Sequence, residues 1–136
     1  MLKKGVIQPA NPDWASPVVL VPIPDGSLYF CIYYRRLSAM NVRDAYPIPR
    51  MNECIDSLGD AVIFSSLDCN SGYWKIPMSD EERDIPAFVS HCGFFRWLRM
   101  PFVLKNARGT FQRASDVILA GFKWQFALVY LEDIIN

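Results

Sequence analysis

The chain has 136 residues, about the size of one ordinary domain or a piece of a larger one. Hydrophobic residues make up 51% of it, which supports a real core and excludes a disordered tail. Formal net charge is zero, so the basic excess of a free-standing nucleic-acid binder is missing, and any grip on nucleic acid is local or lies in parts outside this sequence.

No signal peptide is expected, because residues 5–16 hold Gln8, Pro9, Asn11, Pro12 and Asp13 where an apolar run would be needed. No apolar run reaches the roughly 18 residues of a membrane span. Residues 16–22 are β-branched and proline-bounded, a strand. Pro24-Asp25-Gly26-Ser27 is a turn, and residues 28–34 form the second arm of a hairpin. Residues 35–42 read as a helical turn or loop. Tyr46-Pro47-Ile48-Pro49 is extended, since the residue before a proline is pushed out of the α region. A short helix runs from Pro49 or Arg50 through Leu58, with Ile55 and Leu58 on one face and Gly59 ending it.

Residues 62–68 (VIFSSLD) predict a strand. Ser79 and Glu82 fit the capping box of a brief helix stopped by Pro86. Residues 87–91 and 94–100 read as a hairpin around Cys92-Gly93. Residues 106–122 predict the longest helix, with Phe111, Ala114, Ile118 and Phe122 at helical spacing as its buried face. Residues 126–135 predict one final, buried strand. The order is an α+β pattern. The four cysteines, Cys31, Cys54, Cys69 and Cys92, form no C-x-x-C pair and read as buried free thiols of an intracellular protein. His91 beside Cys92 cannot close a tetrahedral metal site alone.

Two acidic positions stand out. Asp68 ends the strand VIFSSLD, and Glu132 with Asp133 lies inside ALVYLEDII. Carboxylates are disfavoured in strands and costly to bury unpaired. A divalent cation shared by the two strands would supply a reason, because Mg²⁺ takes a few carboxylates plus phosphate oxygens. On the residues alone, a capping or solvated role for Asp68 stays open, as does a plain core role for Tyr73, Trp74 and Phe102.

Leu67-Asp68 followed by residues 71–78 (SGYWKIPM) resembles the "LDL-x-SGYxQI" block of gypsy-type reverse transcriptases. Tyr130-Leu131-Glu132-Asp133 resembles their "YLDD" box. Residues 100–113 resemble "MPFGLxNAPxTFQR", residues 14–21 "WASPVVLV", residues 34–37 "YRRLN", and residues 43–49 "xxDxYPLPR". These blocks stand in order across essentially the whole chain. The resemblance implies the fingers and partial palm of a right-hand polymerase, with an antiparallel palm sheet packed on helices and the thumb absent. Residues 1–60 and 79–100 would be mainly fingers, and 61–78 and 101–136 mainly palm. It implies template-directed DNA synthesis on an RNA or DNA primer-template, with two Mg²⁺ ions. Asp68, Glu132 and Asp133 would be the catalytic, metal-binding carboxylates. Tyr73, Phe102 and Cys69 would meet the nucleotide, Tyr73 beneath the sugar where it excludes a 2′-hydroxyl.

The sequence departs from that pattern where function concentrates. Glu132 replaces an aspartate, and Ile23-Pro24 replaces two lysines before "DGS". Tyr29 stands for an arginine, Tyr33 for an aspartate, Val103 for a glycine and Arg108 for a proline. Val103 is expected to strain a backbone suited to glycine. The remaining Pol polyprotein parts would follow Asn136, which leaves the final strand without a neighbour on one side. The expectation is that this isolated chain is inactive. The alternatives are a non-catalytic remnant that binds nucleic acid or protein, and a fossil reading frame.

Overall fold

The computed structural model describes residues 1–59 and 61–136. The chain forms two compact units, each discontinuous in sequence. The first comprises Met1–Val42 and Trp74–Lys105, the second Arg43–Tyr73 and Asn106–Asn136. The expected boundary at residue 60 falls on the residue outside the description.

The first unit is built on a five-stranded sheet, with β1 (Ile7–Pro9), β2 (Ser16–Pro22), β3 (Leu28–Ile32), β5 (Phe88–Ser90) and β6 (Gly93–Trp97) in the order β1-β6-β5-β2-β3. Only β2 and β5 run parallel. The Asp25-Gly26 turn joins β2 to β3, and the Asp25 carboxylate accepts the Ser27 N–H at 2.8 Å. The core gathers around Phe88, whose ring stacks on Phe95 and tilts against Trp97, each 5.6 Å away. A fully buried side chain of this size contributes about 1.5–3 kcal/mol. Residues 35–42, expected as a helical turn or loop, begin with a short helix, α1 (Arg35–Met40). The Lys105 ammonium donates to the carbonyls of Ser38 and Asn41 at its C-terminal end, where the dipole favours a cation.

Several expectations fail in this unit. Strand β1 carried no sequence signal, because Gln8 and Pro9 break the apolar pattern; β1 lies at a sheet edge, where proline is tolerated. Residues 79–86 form turns, not a helix. The Ser79 hydroxyl bonds the Glu82 side chain at 2.9 Å instead of capping a backbone N–H, and the seven residues before Pro86 leave no room for a second full turn. Val103 keeps a negative φ, so the valine introduces no left-handed strain.

The second unit holds a three-stranded antiparallel sheet, ordered β4 (Ser66–Asp68), β8 (Asp133–Ile135), β7 (Leu128–Tyr130). Helices α2 (Met51–Leu58) and α3 (Ala107–Ile118) pack against β7. Glu53 reaches back to the Arg50 N–H at 3.3 Å, and Gly59 at φ 53° ends α2 as expected. Its buried residue is Cys54, while Ile55 is exposed.

Here too the sequence reading needs correction. Only the last three residues of 62–68 join a ladder. The expected strand over 126–135 is a hairpin with Leu131-Glu132 as its two-residue loop. Strand β8 is therefore the middle strand, with a neighbour on each side. Helix α3 ends at Ile118. Its buried face runs through Ala107, Phe111 and Gln112, while Ile118 and Phe122 are exposed and Ala114 half-buried. The apolar spacing continued past the segment that contacts β7. Of the four cysteines, all free, only Cys54 is buried. No helix among the described residues is long and apolar enough to cross a membrane.

Candidate cation site on the three-stranded sheet

The end of β4 and the start of β8 bring two carboxylates together. Asp68 pairs in register with Asp133, and Asp133 pairs on its other side with Tyr130. Directly opposed residues of an antiparallel ladder share one face, with Cβ atoms about 4.5–5.5 Å apart. Both aspartates are exposed. Two like charges set opposite each other destabilise the ladder, and a cation between them removes that penalty.

The hairpin loop fixes where Glu132 goes. Leu131 has φ 55°, and Glu132 does not share that sign. A left-handed non-glycine residue costs about 1–3 kcal/mol, so surrounding contacts must hold it. The Cys69 N–H donates to the Glu132 carbonyl at 3.0 Å, tying the loop to the end of β4. Cys69 begins a tight turn closed by Gly72 N–H to its carbonyl at 2.8 Å, with Ser71 also left-handed at φ 53°.

Gly72 is required by this geometry. A Cβ there would sit 2.7 Å from Glu132 Oε1 and 2.8 Å from the Phe111 ring. The Glu132 carboxylate therefore lies over the Gly72 backbone, beside buried Phe111. Among the described residues, no three His, Cys, Asp or Glu side chains converge on a metal position. The two carboxylates that the ladder sets opposite each other are Asp68 and Asp133.

The surrounding groups register the local negative charge. Burial pushes the Cys69 thiol up, and Asp68, Glu132 and Asp133 push it further, so the thiol stays protonated at neutral pH. Burial also raises Tyr73, with Glu132 adding to the rise and Arg108 opposing it. The Tyr73 ring is held against Phe111 at 5.1 Å and 46°. Phe102 belongs to the first unit and is 60% exposed. Sequence reasoning gave no role of its own to Gln112. The available signal was a polar residue directly after Phe111 on a helix face that must be buried.

Residues 21–136 match the family model described as reverse transcriptase (RNA-dependent DNA polymerase). The chain belongs to the reverse transcriptase family. It is 39% identical over 140 residues to the Retrovirus-related Pol polyprotein from transposon 297 of Drosophila melanogaster, spanning 99% of this chain but 13% of that polyprotein. It is 36% identical to an RNA-directed DNA polymerase homolog of Oenothera berteroana, covering 80% of this chain and 77% of that protein. The foamy viral protease-reverse transcriptase solved in complex with an RNA/DNA hybrid superposes with a TM-score of 0.81 at 23% identity, over 98% of this chain and 18% of that one. The fold is thus that of the fingers and partial palm of a right-hand polymerase, and relatives from gypsy-like transposons share its sequence.

Proposed function

We propose that this reverse transcriptase chain is the nucleotide-handling part of a gypsy-type Pol polyprotein, with the first unit as fingers and the second as palm. Its reaction class is attack of a primer 3′-hydroxyl on the α-phosphate of a deoxynucleotide, directed by an RNA or DNA template. The observation that carries this reading is the in-register pairing of Asp68 with Asp133 at one end of the three-stranded sheet. Mg²⁺, when bound, would neutralise phosphate charge and align the attacking and leaving oxygens. Asp68 and Asp133 would hold it. Tyr73, braced by Phe111, would present its ring to the sugar, next to Cys69 and the tight turn that Gly72 closes. Phe102 and the β2–β3 hairpin would meet the base and triphosphate.

We further read this chain as a cation binder with little polymerase activity of its own. Glu132 directs its carboxylate over Gly72, not to a shared metal position. A misplacement of about 1 Å in reacting geometry costs on the order of 100-fold. Ile23 and Pro24 also put no cation at the tip of the β2–β3 hairpin, where triphosphate charge needs partners.

Primer extension with Mg²⁺, paired with calorimetric titration of Mn²⁺, tests both parts. The unmodified chain, alone and fused to a relative's thumb, is expected to bind Mn²⁺ without extending the primer. The Glu132→Asp variant of the fusion is expected to extend it. Extension by the unmodified chain would overturn the inactivity reading. Unchanged Mn²⁺ binding in Asp68→Asn and Asp133→Asn would overturn the cation site.

A further inference from the structure

Gln112 is wholly buried, at 0% exposure, yet carries a primary amide. A buried amide must spend its donors and acceptor on specific partners. Its Oε1 accepts the Leu131 N–H at 2.9 Å, and its Nε2 donates to the Val129 carbonyl at 3.2 Å. The side chain thereby grips the backbone on both sides of Tyr130, the residue paired with Asp133. Strand β7 is an edge of its sheet, and an edge leaves backbone groups without ladder partners. Gln112 takes one of these, the Val129 carbonyl, together with the N–H of the first loop residue, Leu131.

The amide is held in one orientation. Its Nε2 also donates to Asp116 Oδ1 at 3.0 Å, and Asp116 accepts from the Tyr46 hydroxyl at 2.7 Å and the Lys123 ammonium at 2.6 Å. A flipped amide would set its oxygen against the Asp116 carboxylate and the Val129 carbonyl. The polar set thus runs from Tyr46 and Lys123 through Asp116 to Gln112, and ends on the loop whose first residue is left-handed.

We infer that Gln112 is the positioning residue of the acidic hairpin: its amide holds Leu131 in the left-handed conformation and so keeps Asp133 opposite Asp68. Gln112 is buried with its amide bonded to protein groups on both sides. It acts through the backbone, and its effect on cation affinity rests on the Asp68–Asp133 pair being the cation site proposed above.

The test uses the full chain, labelled with ¹⁵N. Amide hydrogen exchange reports the hairpin, and Mn²⁺-induced line broadening reports the cation. In Gln112→Met, exchange at Leu131 and Asp133 is expected to accelerate about tenfold, as loss of a buried hydrogen-bond partner should cause, with helix α2 unaffected. Mn²⁺ affinity is expected to fall about tenfold with it. Adding Leu131→Gly should recover the affinity, because glycine adopts positive φ unaided. A packing role alone would leave that double variant as weak as the single one, and this result overturns the inference. Made together with Asp116→Asn, which removes the facing carboxylate, Gln112→Glu keeps the acceptor for Leu131 and loses both donors. It should keep Leu131 protected while Val129 loosens, and it carries the test if the methionine variant does not fold. Unprotected Leu131 in Gln112→Glu with Asp116→Asn, or unchanged exchange in Gln112→Met, also overturns the inference. If the wild-type chain shows no Mn²⁺ broadening while exchange still rises in Gln112→Met, the cation reading fails and the positioning role stands.

Discussion

Asp68 and Asp133 face each other across the β4–β8 ladder although 65 positions separate them in sequence. Opposed carboxylates store a repulsion that a bound cation relieves. Replacing either by asparagine removes the repulsion and the cation's reason to bind. Asp133→Asn is therefore expected to raise stability without metal by about 0.2–1 kcal/mol, the scale of a cross-strand pair. Thermal melts with and without Mn²⁺ check this. The wild type should gain Tm on addition of Mn²⁺, and the variant should not respond.

Gly72→Ala tests the close approach beneath Glu132. The new methyl group meets Glu132 Oε1 at 2.7 Å and the Phe111 ring at 2.8 and 2.9 Å. Overpacking of this kind costs about 1–3 kcal/mol. Urea unfolding should show that loss. Combining it with Glu132→Ala should restore only part, because Phe111 is a buried ring with little room to yield.

In the first unit, the buried Tyr34 hydroxyl donates to the Pro86 carbonyl at 2.5 Å and accepts from Trp97 Nε1 at 2.9 Å. Burial pushes its titration well above the ordinary tyrosine value, so it stays neutral at any ordinary pH. Tyr34→Phe keeps the ring and strands both partners. The expected loss is about 1–3 kcal/mol in a urea titration. Trp97→Phe should cost less on that background than in the wild type, since its N–H is by then already unpaired and only the packing of the indole against Phe88 is lost.

The pH dependence of the second unit should carry a contribution from Asp116. Burial pushes this carboxyl up, but hydrogen bonds from Lys123, Tyr46 and Gln112 outweigh it and leave it below its ordinary value. A depressed folded value means that the ionised form stabilises the fold. That stability is complete above the unfolded value, near about 3.9, and is lost as pH falls through the folded one. Asp116→Asn should lower Tm at pH 7 and flatten its fall below about pH 4. An equal slope in both proteins would rule out Asp116 as the source.

The sequence announced some of this clearly. Asp25-Gly26 between β-branched runs marks the β2–β3 hairpin through turn chemistry, and Gly59 marks the end of α2. Asp68 at a strand end was visible because a carboxylate after VIFSSL is unusual. The loop at Leu131-Glu132 was not visible, since neither residue favours positive φ and the reason for the turn lies in a side chain nineteen positions away, Gln112. The burial of Gln112 was hidden for a similar reason, while Cys54 is the one cysteine of the four that meets the expectation of a buried thiol. Which helix stripe is covered depends on where β7 passes, and periodicity alone does not say.

The central place of β8 also sets an order of assembly. Strands β4 and β7 make no ladder with each other, and each depends on residues 133–135 as its partner. During synthesis the first unit has all of its strands once residue 105 has left the ribosome. The second must wait about thirty residues longer, with β4 waiting unpaired, so that late closure is the step most open to mispairing.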